Sequence, residues 1–205
     1  MLLCALIPAI ASRLALPRAR AVPRAISIAA MSHCYDYPRP AVTVDAVILA
    51  APSGAQPEPK LLLIQRKNEP FQGKWALPGG FVDQGETLDS AAARELQEET
   101  SVDPSSVVLT QVGAFGNPGR DPRGWTITVA YAALVPSVDK LNVKAADDAA
   151  DARWYSLSEI PQLAFDHALV VGTSLRHLAK QPEVVALGDS LLSQLHAAAV
   201  KLEGL

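Results

Sequence analysis

The sequence predicts an α+β fold, an α/β/α sandwich in which a mixed β-sheet lies between helices. Segments with strand character outnumber helical segments before residue 156, and one major helical segment lies among them. Helical patterns dominate the chain from residue 167 onwards. Because each element must bury its apolar face against another element, this order of elements is typical of a layered domain. The 205 residues are enough for one domain with a sizeable core.

Apolar, β-branched segments bounded by Pro, Gly and Ser clusters predict the strands of the sheet. The strongest are VTVDAVILA at residues 42–50 and WTITVAYAALV at residues 125–135. The acidic segment 139–151 is predicted to be a loop. The remaining strands are expected at residues 60–67, 75–77, 107–115 and 152–155.

The main helix is predicted at residues 87–100. Thr87 is a suitable N-cap, and Leu88, Ala92 and Leu96 recur at every fourth position to form an apolar stripe. A helical turn is expected at residues 158–160, and further helices at 167–180 and 184–202. The last helix carries an apolar stripe that predicts packing on the domain: Leu187, Leu191, Leu195, Ala198 and Leu202.

Three carboxylates share one side of the main predicted helix. Glu95, Glu98 and Glu99 stand at i, i+3 and i+4, and their side adjoins the apolar stripe. Carboxylates crowded at the edge of a buried surface repel one another unless a cation neutralises them. Oxygen ligands on a rigid element suit a hard divalent ion, so Mg²⁺ or Mn²⁺ is the predicted cofactor. A solvated acidic helix face is the alternative.

Composition argues against two classes of partner. The net charge of −3 makes a generally basic nucleic-acid-binding surface unexpected. Arginines and prolines break the apolar runs of residues 1–30 too early for a membrane span, so no membrane partner is expected. The two cysteines, Cys4 and Cys34, form neither a disulfide framework nor a metal-ligand pattern.

The first 30 residues differ from the rest of the chain. They contain four arginines and no Asp, Glu or Lys, a composition that predicts a disordered transit peptide. The expected location is therefore the chloroplast or the mitochondrion, and otherwise the cytoplasm. A secretory signal is a weaker alternative. Residues 36–180 are predicted to form the main domain, with residues 181–205 as a C-terminal helix packed on it.

The segment from Gly79 to Val102, GGFVDQGETLDSAAARELQEETSV, resembles the Nudix box of the Nudix hydrolase family. Eight of the nine specified positions match, and Ser101 stands where the family usually has Gly. The resemblance covers roughly residues 38–165 and implies the Nudix fold, a mixed sheet between helices. The matching positions are Gly80, Glu86, Arg94, Glu95, Leu96, Glu98, Glu99 and Val102.

The resemblance implies roles for several of these residues. Glu95 and Glu99 are the leading metal ligands and Glu98 is a third. Glu86 is expected to pair with Arg94 and to orient the ligand helix, although a plain surface ion pair is the alternative. A backbone carbonyl of Gly79 or Gly80 is expected to approach the metal; a simple tight turn is the other interpretation. Together, Glu86, Arg94, Glu95, Glu98 and Glu99 form the predicted catalytic set.

The substrate side is predicted from arginines near the expected cleft. Arg66 ends a strand, and Arg120 and Arg123 lie in the loop GNPGRDPRG. Guanidinium groups bind phosphates bidentately, so all three are candidates for substrate binding, with solvated loop arginines as the alternative. The surrounding sequence resembles the ADP-ribose pyrophosphatase-like branch of the family. That resemblance implies hydrolysis of a nucleoside diphosphate linked to another moiety, ADP-ribose above all, to AMP and ribose 5-phosphate.

Two other functions stay open at this level. One is a Nudix-like sensor that binds ADP-ribose without turnover, and the other is a sanitising pyrophosphatase for oxidised nucleotides. Whether the chain forms a homodimer is also open.

Some further side chains have less certain roles. The acidic pair Asp147 and Asp148 could provide an additional general base. Trp75, Trp125 and Trp154 could stack an adenine but are more typical of core residues, and surface or cap roles are expected for His33, His167, His177 and His196.

Overall fold

The computed structural model describes residues 35–54, 56–145 and 149–204. The predicted transit peptide, both cysteines, His33 and the pair Asp147 and Asp148 lie outside these ranges. The described residues from Pro38 onwards form one compact unit. Within the described ranges, no helix is both long enough and apolar enough to cross a membrane.

The described residues form a mixed sheet of seven strands: β1 (Ala41–Ala50), β2 (Lys60–Arg66), β3 (Trp75–Ala76), β4 (Gly79–Phe81), β5 (Thr110–Phe115), β6 (Thr126–Val135) and β7 (Ala149–Ser156). The order in the sheet is β3-β2-β1-β6-β5, while β4 pairs with β1 and β7 pairs with β2. The long strands β1 and β6 run parallel along their whole length, whereas the other pairs are antiparallel.

Helices cover both faces of this sheet. Alternate residues of a strand point to opposite faces, and β1 shows this alternation clearly. Val47 and Leu49 pack in the core beneath the C-terminal helices, whereas Ala46 and Ile48 pack in the core that contains Leu96 of the main helix. The predicted α/β/α sandwich is therefore confirmed. The helices are α1 (Leu88–Thr100), α2 (His167–Leu178), α3 (Pro182–Val185) and α4 (Asp189–Glu203), with single 3₁₀ turns at Pro104–Ser106, Val138–Lys140 and Leu157–Glu159.

The C-terminal region differs from its prediction as one helix over residues 184–202. The structure has a short α3 and a separate α4, because Gly188 takes a positive φ of 100° between them. Leu187 consequently lies in the connection and is 55% exposed instead of belonging to the buried stripe. The rest of the stripe is buried in the core that also contains α2: Leu191, Leu195, Ala198 and Leu202.

Two strand boundaries also differ from the prediction. β5 begins at Thr110 instead of residue 107, because the chain first makes a 3₁₀ turn at Pro104–Ser106. β7 begins at Ala149, inside the segment predicted as a loop, because its first residues pair with the end of β2. A local turn thus delays the start of β5, whereas pairing with the distant strand β2 brings forward the start of β7.

Both ends of α1 follow local rules. Thr87 is the N-cap, and its side chain accepts a hydrogen bond from the Ser90 amide within a complete capping box. At the C-terminus, Ser101 takes a left-handed conformation with φ 59° and ψ 14°, and its amide donates to the Gln97 carbonyl. Ser101 thus adopts the backbone geometry for which the family uses Gly.

We expect Ser101→Gly to raise the free energy of unfolding by about 0.5–1 kcal/mol, because glycine adopts the left-handed region without the strain of a side chain. Urea denaturation of the two proteins measures the difference. Ser106→Gly is the matched control, since Ser106 does not have a positive φ and its hydroxyl donates to the Asp103 carbonyl. A Ser101→Gly protein no more stable than the parent would contradict the strain interpretation.

Candidate active site

The predicted site forms where α1 packs against β4. The Gly79 amide donates a hydrogen bond of 2.8 Å to Oε2 of Glu99. A Cβ atom at Gly80 would collide with the Glu95 carboxylate, and one at Gly79 would collide with the Val44 carbonyl. Gly79 is therefore required by the close approach of backbone, whereas a side chain at Gly80 would displace the Glu95 carboxylate from its position.

Arg94 organises the acidic side chains around it. It donates to Glu86 through Nε at 2.9 Å and through Nη2 at 3.0 Å, and Nη1 donates to Glu95 at 2.7 Å and Glu98 at 2.9 Å. Its Nη2 also donates to the Phe81 carbonyl. The hydrogen bond to Glu86 is the main reason that the pKa of Arg94 lies above its ordinary value. Arg94 thus ties α1 to β4 and to the connection between them.

Glu99 is the most deeply buried carboxylate of the predicted ligand set. Burial raises its pKa to about 8, although the Gly79 amide opposes the shift and the charges of Glu95 and Asp45 add to it. Burial also raises the pKa of Glu95. Glu98 differs, because 45% of its side chain is exposed. The ionised forms of Glu95 and Glu99 are therefore costly until a cation approaches them.

This donor set is chemically suited to a hard divalent ion. The carboxylate oxygens of Glu95 and Glu99 adjoin glycine backbone that has no side chain to block an ion. In the described ranges, no three His, Cys, Asp or Glu side chains already converge as a ready-made ion site. Arg94 instead holds Glu95 and Glu98. The ligand roles of Glu95, Glu98 and Glu99 stay predictions, as does the carbonyl role of Gly79 or Gly80.

Two of the three predicted substrate arginines, Arg66 and Arg123, line the cleft but differ in how far a carboxylate neutralises them. Arg66 donates through Nε to the Pro70 carbonyl at 2.7 Å, and no carboxylate among the described residues forms an ion pair with it. Burial, followed by the nearby charge of Arg123, lowers the pKa of Arg66. Asp121 holds Arg123 through Nε at 3.0 Å and Nη2 at 2.7 Å. Arg66, which has no ion pair with a carboxylate among the described residues, is therefore the better placed of the two to bind an anion.

Arg120, the third predicted substrate arginine, lines the cleft but is buried in an ion pair, so the alternative of a solvated loop arginine does not apply to it, and its substrate role stays a prediction. Its side chain is only 4% exposed. Its Nε and Nη2 both donate to the Asp166 carboxylate, at 2.9 and 2.7 Å, and Nη2 lies 3.8 Å from Oδ2 of Asp45. Arg120 thus anchors its loop to β1 and to the start of α2, whereas Arg123 remains at the surface of the same loop.

Several residues that sequence reasoning missed complete the cleft. His167 is buried, so its expected surface or cap role is wrong, and its Nδ1 accepts a hydrogen bond of 2.9 Å from the Leu77 amide. Burial lowers the pKa of this imidazole, in agreement with its role as an acceptor. Asp45 accepts from Thr128 at 2.7 Å. No local pattern marks these contacts, because they join residues 83–90 positions apart.

One continuous cleft connects the acidic and cationic groups. Its acidic end is lined by Arg94, Glu95 and Glu99, and its other end by Asp45, Arg120, Phe165 and His167. None of the three tryptophans lines either end. Trp75 packs edge-on against Tyr155, Trp154 packs against a core cluster, and Trp125 is 58% exposed elsewhere. The residues shared by both ends are Arg66, Gly79, Gly80, Phe81 and Arg123.

This geometry agrees with the comparison to known proteins. A family model described as the NUDIX domain matches residues 39–173. The chain belongs to the Nudix family. The Nudix fold expected from the sequence is thereby confirmed, and the carboxylate helix, the glycine turn and the Glu86–Arg94 pair all lie within the matched residues.

Relatives within the Nudix family include proteins connected with ADP-ribose. The chain is 41% identical over 140 residues to an ADP-ribose pyrophosphatase of Methanocaldococcus jannaschii, covering 68% of this chain and 76% of that protein. It is 39% identical over 164 residues to the ADPR responsive transcriptional repressor NtrR of Acinetobacter baylyi, covering 78% of this chain and 63% of the repressor.

A solved structure of a Nudix domain that binds ADP ribose also resembles this chain. The NUDIX domain of Shewanella oneidensis NrtR, crystallised with ADP ribose, superimposes with a TM-score of 0.61 and 36% identity, covering 69% of this chain and 90% of that domain. The predicted likeness to the ADP-ribose branch of the family is therefore confirmed.

Proposed function

We propose that this Nudix protein is a divalent-metal-dependent hydrolase that cleaves the pyrophosphate bond of a nucleoside diphosphate linked to another moiety. ADP-ribose is the proposed substrate, and AMP and ribose 5-phosphate are the products. The observation that carries the proposal is the cleft itself, in which buried carboxylates and two cleft-facing arginines lie on shared walls. The 41% identity to an ADP-ribose pyrophosphatase supports the choice of substrate.

The arginines account for binding of the diphosphate. Burial and the nearby charge of Arg123 lower the pKa of Arg66, and an anion bound beside Arg66 would offset both effects. Because Asp121 already holds Arg123, little side-chain entropy is lost when a phosphate binds there. Arg120 contributes by holding the loop in place and not by contacting phosphate.

The proposed cofactor is Mg²⁺ or Mn²⁺. Glu95 and Glu99 would hold it, with Glu98 and a carbonyl of Gly79 or Gly80 as further ligands. When bound, such an ion neutralises phosphate oxygens and lowers the pKa of water. The Glu86–Arg94 pair keeps the ligand helix in register with β4.

The reaction adds water across the pyrophosphate bridge. The water oxygen bonds to one phosphorus, the bond from that phosphorus to the bridging oxygen breaks, and the other phosphate leaves with the electron pair. A carboxylate of the acidic end accepts the proton released from water. Burial around Glu95 and Glu99 excludes bulk water, so electrostatic interactions there are stronger than at the surface.

The direct test is a hydrolysis assay on the purified full chain. With Mg²⁺ or Mn²⁺, we expect ADP-ribose to give AMP and ribose 5-phosphate in equal amounts, measured by chromatography, and EDTA to stop the reaction. A panel of nucleotides, including oxidised ones, is the comparison. Tight binding of ADP-ribose without turnover would instead favour the sensor function that the repressor relative suggests. Preference for oxidised nucleotides would favour the sanitising function.

The subcellular location of the protein is a separate proposal. The acid-free, arginine-containing composition of residues 1–30 supports a transit peptide for the chloroplast or the mitochondrion. Fusion of these residues to a fluorescent protein tests it, and a purely cytosolic signal would overturn it. Self-association into a homodimer also stays a prediction.

A further inference from the structure

Three consecutive residues that lead into α2 each contact a different part of the cleft. Phe165 lines the cleft itself. Asp166 accepts two hydrogen bonds from Arg120 in the arginine loop, at 2.9 and 2.7 Å. His167 accepts a hydrogen bond of 2.9 Å from the amide of Leu77, just before the glycine pair. We call this tripeptide the α2 clasp, because it joins the loop on one side of the cleft to the glycine pair on the other.

The α2 clasp gives up two local sources of stability. Phe165 takes a positive φ of 52°, which strains a bulky residue. Asp166 occupies the N-cap position of α2, but its side chain forms no capping hydrogen bond. An aspartate at that position usually accepts a hydrogen bond from the first turn and stabilises the helix. The carboxylate is instead held by Arg120, 46 residues away, so tertiary contacts and not helix formation set the conformation of the clasp.

The chain just before the clasp runs beside β3. Leu163 forms a parallel bridge with Trp75, and the Ala164 amide donates a hydrogen bond of 2.8 Å to the Trp75 carbonyl. The backbone then turns into α2, and the imidazole of His167 provides the next acceptor along the strand. Its Nδ1 accepts from the Leu77 amide, so the side chain does here what a backbone carbonyl does in a sheet.

Side chains from two helices hold the short connection between β3 and β4. His167 of α2 takes the Leu77 amide, and Pro78 has no amide to donate. The amide of Gly79 donates a hydrogen bond of 2.8 Å to Oε2 of Glu99 on α1. Only Pro78 separates the two bonded residues, so the position of Gly79 beside Glu99 depends on the acceptor at His167.

We propose that His167 is a positioning residue for the divalent-metal site, because its Nδ1 holds the connection so that the backbone of Gly79 meets the Glu99 carboxylate. Without that acceptor, the buried Leu77 amide must find another partner, and the connection has to move. Groups that orient metal ligands without touching the metal contribute about 10–100-fold to metal affinity. The inference rests on the proposed function for the presence of a divalent ion at the carboxylates.

Binding of Mn²⁺ to the purified full chain, measured by electron paramagnetic resonance without substrate, tests this role. Two substitutions separate the acceptor from the rest of the imidazole. An asparagine side chain has its amide oxygen where histidine has Nδ1, whereas a glutamine side chain has its amide at the position of Nε2. We expect His167→Gln to weaken Mn²⁺ binding by about tenfold, and His167→Asn to bind Mn²⁺ like the parent protein. Both variants lose the aromatic ring, so the difference between them isolates the acceptor.

His177→Gln is the matched control. A ring nitrogen of His177 also forms one hydrogen bond, of 2.8 Å to Gln181, but this histidine does not line the cleft. Its Mn²⁺ affinity should equal that of the parent protein. The inference is overturned if the parent protein binds no Mn²⁺, if His167→Gln and His167→Asn weaken binding equally, or if His167→Gln leaves binding unchanged.

Circular dichroism shows whether each variant is folded. If His167→Gln does not fold, His167→Asn decides alone. A folded His167→Asn protein with the Mn²⁺ affinity of the parent supports the positioning role, and a folded one with weakened affinity overturns it.

The experiment separates this inference from the proposed function. A chain that does not hydrolyse ADP-ribose, but whose Mn²⁺ affinity depends on the acceptor at His167, would retain the positioning role and reject the hydrolase. A chain that hydrolyses ADP-ribose, but whose Mn²⁺ affinity is the same in all variants, would retain the hydrolase and reject the positioning role.

Discussion

Glu99→Gln is expected to lower the rate of ADP-ribose hydrolysis by about 10²–10⁴-fold, the range for losing a group that acts at the reacting atoms. The substitution removes the charge of the most buried carboxylate in the predicted ligand set and nearly preserves its shape. Glutamine can still accept the hydrogen bond that the Gly79 amide donates to Glu99. The loss should therefore appear in turnover and not in folding. Steady-state kinetics and circular dichroism measure the two effects.

Glu159→Gln is the matched control, because Glu159 is an exposed carboxylate of the 3₁₀ turn Leu157–Glu159, outside the cleft. Its rate should equal that of the parent protein. Glu98→Gln should have an intermediate effect, since Glu98 is largely solvated and already paired with Arg94. A Glu99→Gln protein with a near-parent rate would remove Glu99 from the predicted ligand set.

Glu99→Gln, which should lower the rate of hydrolysis, should raise the stability of the folded protein when no metal is present. Glu99 has a pKa of about 8 in the folded chain, against an ordinary value of 4.5, so the folded state binds this proton more tightly than the unfolded state. The stability that the parent protein gains from this tighter proton binding is present at low pH and is lost as the pH rises from about 4.5 through about 8. Urea denaturation in EDTA should show Glu99→Gln gaining stability relative to the parent protein between pH 6 and pH 9, on the order of 2 kcal/mol.

Arg120→Ala is expected to lower the free energy of unfolding by about 3–5 kcal/mol, because it leaves buried carboxylates without their cation. Asp166 would lose both hydrogen bonds from the guanidinium, and Asp45 would lose the nearest positive charge to its Oδ2. The loop that presents Arg123 would also lose its anchor. Chemical denaturation measures the loss of stability, which should accompany any loss of substrate binding.

Arg176→Ala tests whether burial causes the effect. Arg176 forms the same two-bonded contact with Glu203, at 2.8 and 2.6 Å, but both side chains are more than a third exposed. Its removal should cost no more than about 1 kcal/mol. Similar losses of unfolding free energy in the two variants would show that burial does not strengthen the contribution of the Arg120 ion pair. If the Arg120→Ala protein is as stable as the parent protein but binds substrate more weakly, Arg120 binds the phosphates of the substrate.

Local patterns were sufficient for much of the site. The N-cap Thr87, the buried Leu96 and the placement of Glu95 and Glu99 beside Gly79 and Gly80 agree with spacing along a single helix and the turn before it. Helical periodicity depends only on neighbouring residues, so it can be read directly from the chain. The break between α3 and α4 was missed because the apolar spacing continues across Gly188, where the backbone does not.

Contacts between distant segments could not be predicted from local sequence patterns. Arg120 and Arg123 stand three residues apart in one polar loop, and nothing local distinguishes them. The structure buries the first against Asp166, 46 residues away, and leaves the second beside Phe81 and Phe165. His167 likewise becomes a buried acceptor only because α2 begins next to Leu77.

By itself, the amino-acid sequence determined the carboxylate helix, the glycine pair that it packs on and membership of the Nudix family, because these depend on periodicity and spacing over some 24 consecutive residues of the chain. Only the tertiary structure decided which arginine of one loop is buried in an ion pair, which one lies at the surface and which aromatic rings remain exposed. Those outcomes depend on strand pairing and burial, which bring residues far apart in the chain to the same cleft and exclude water from some of them.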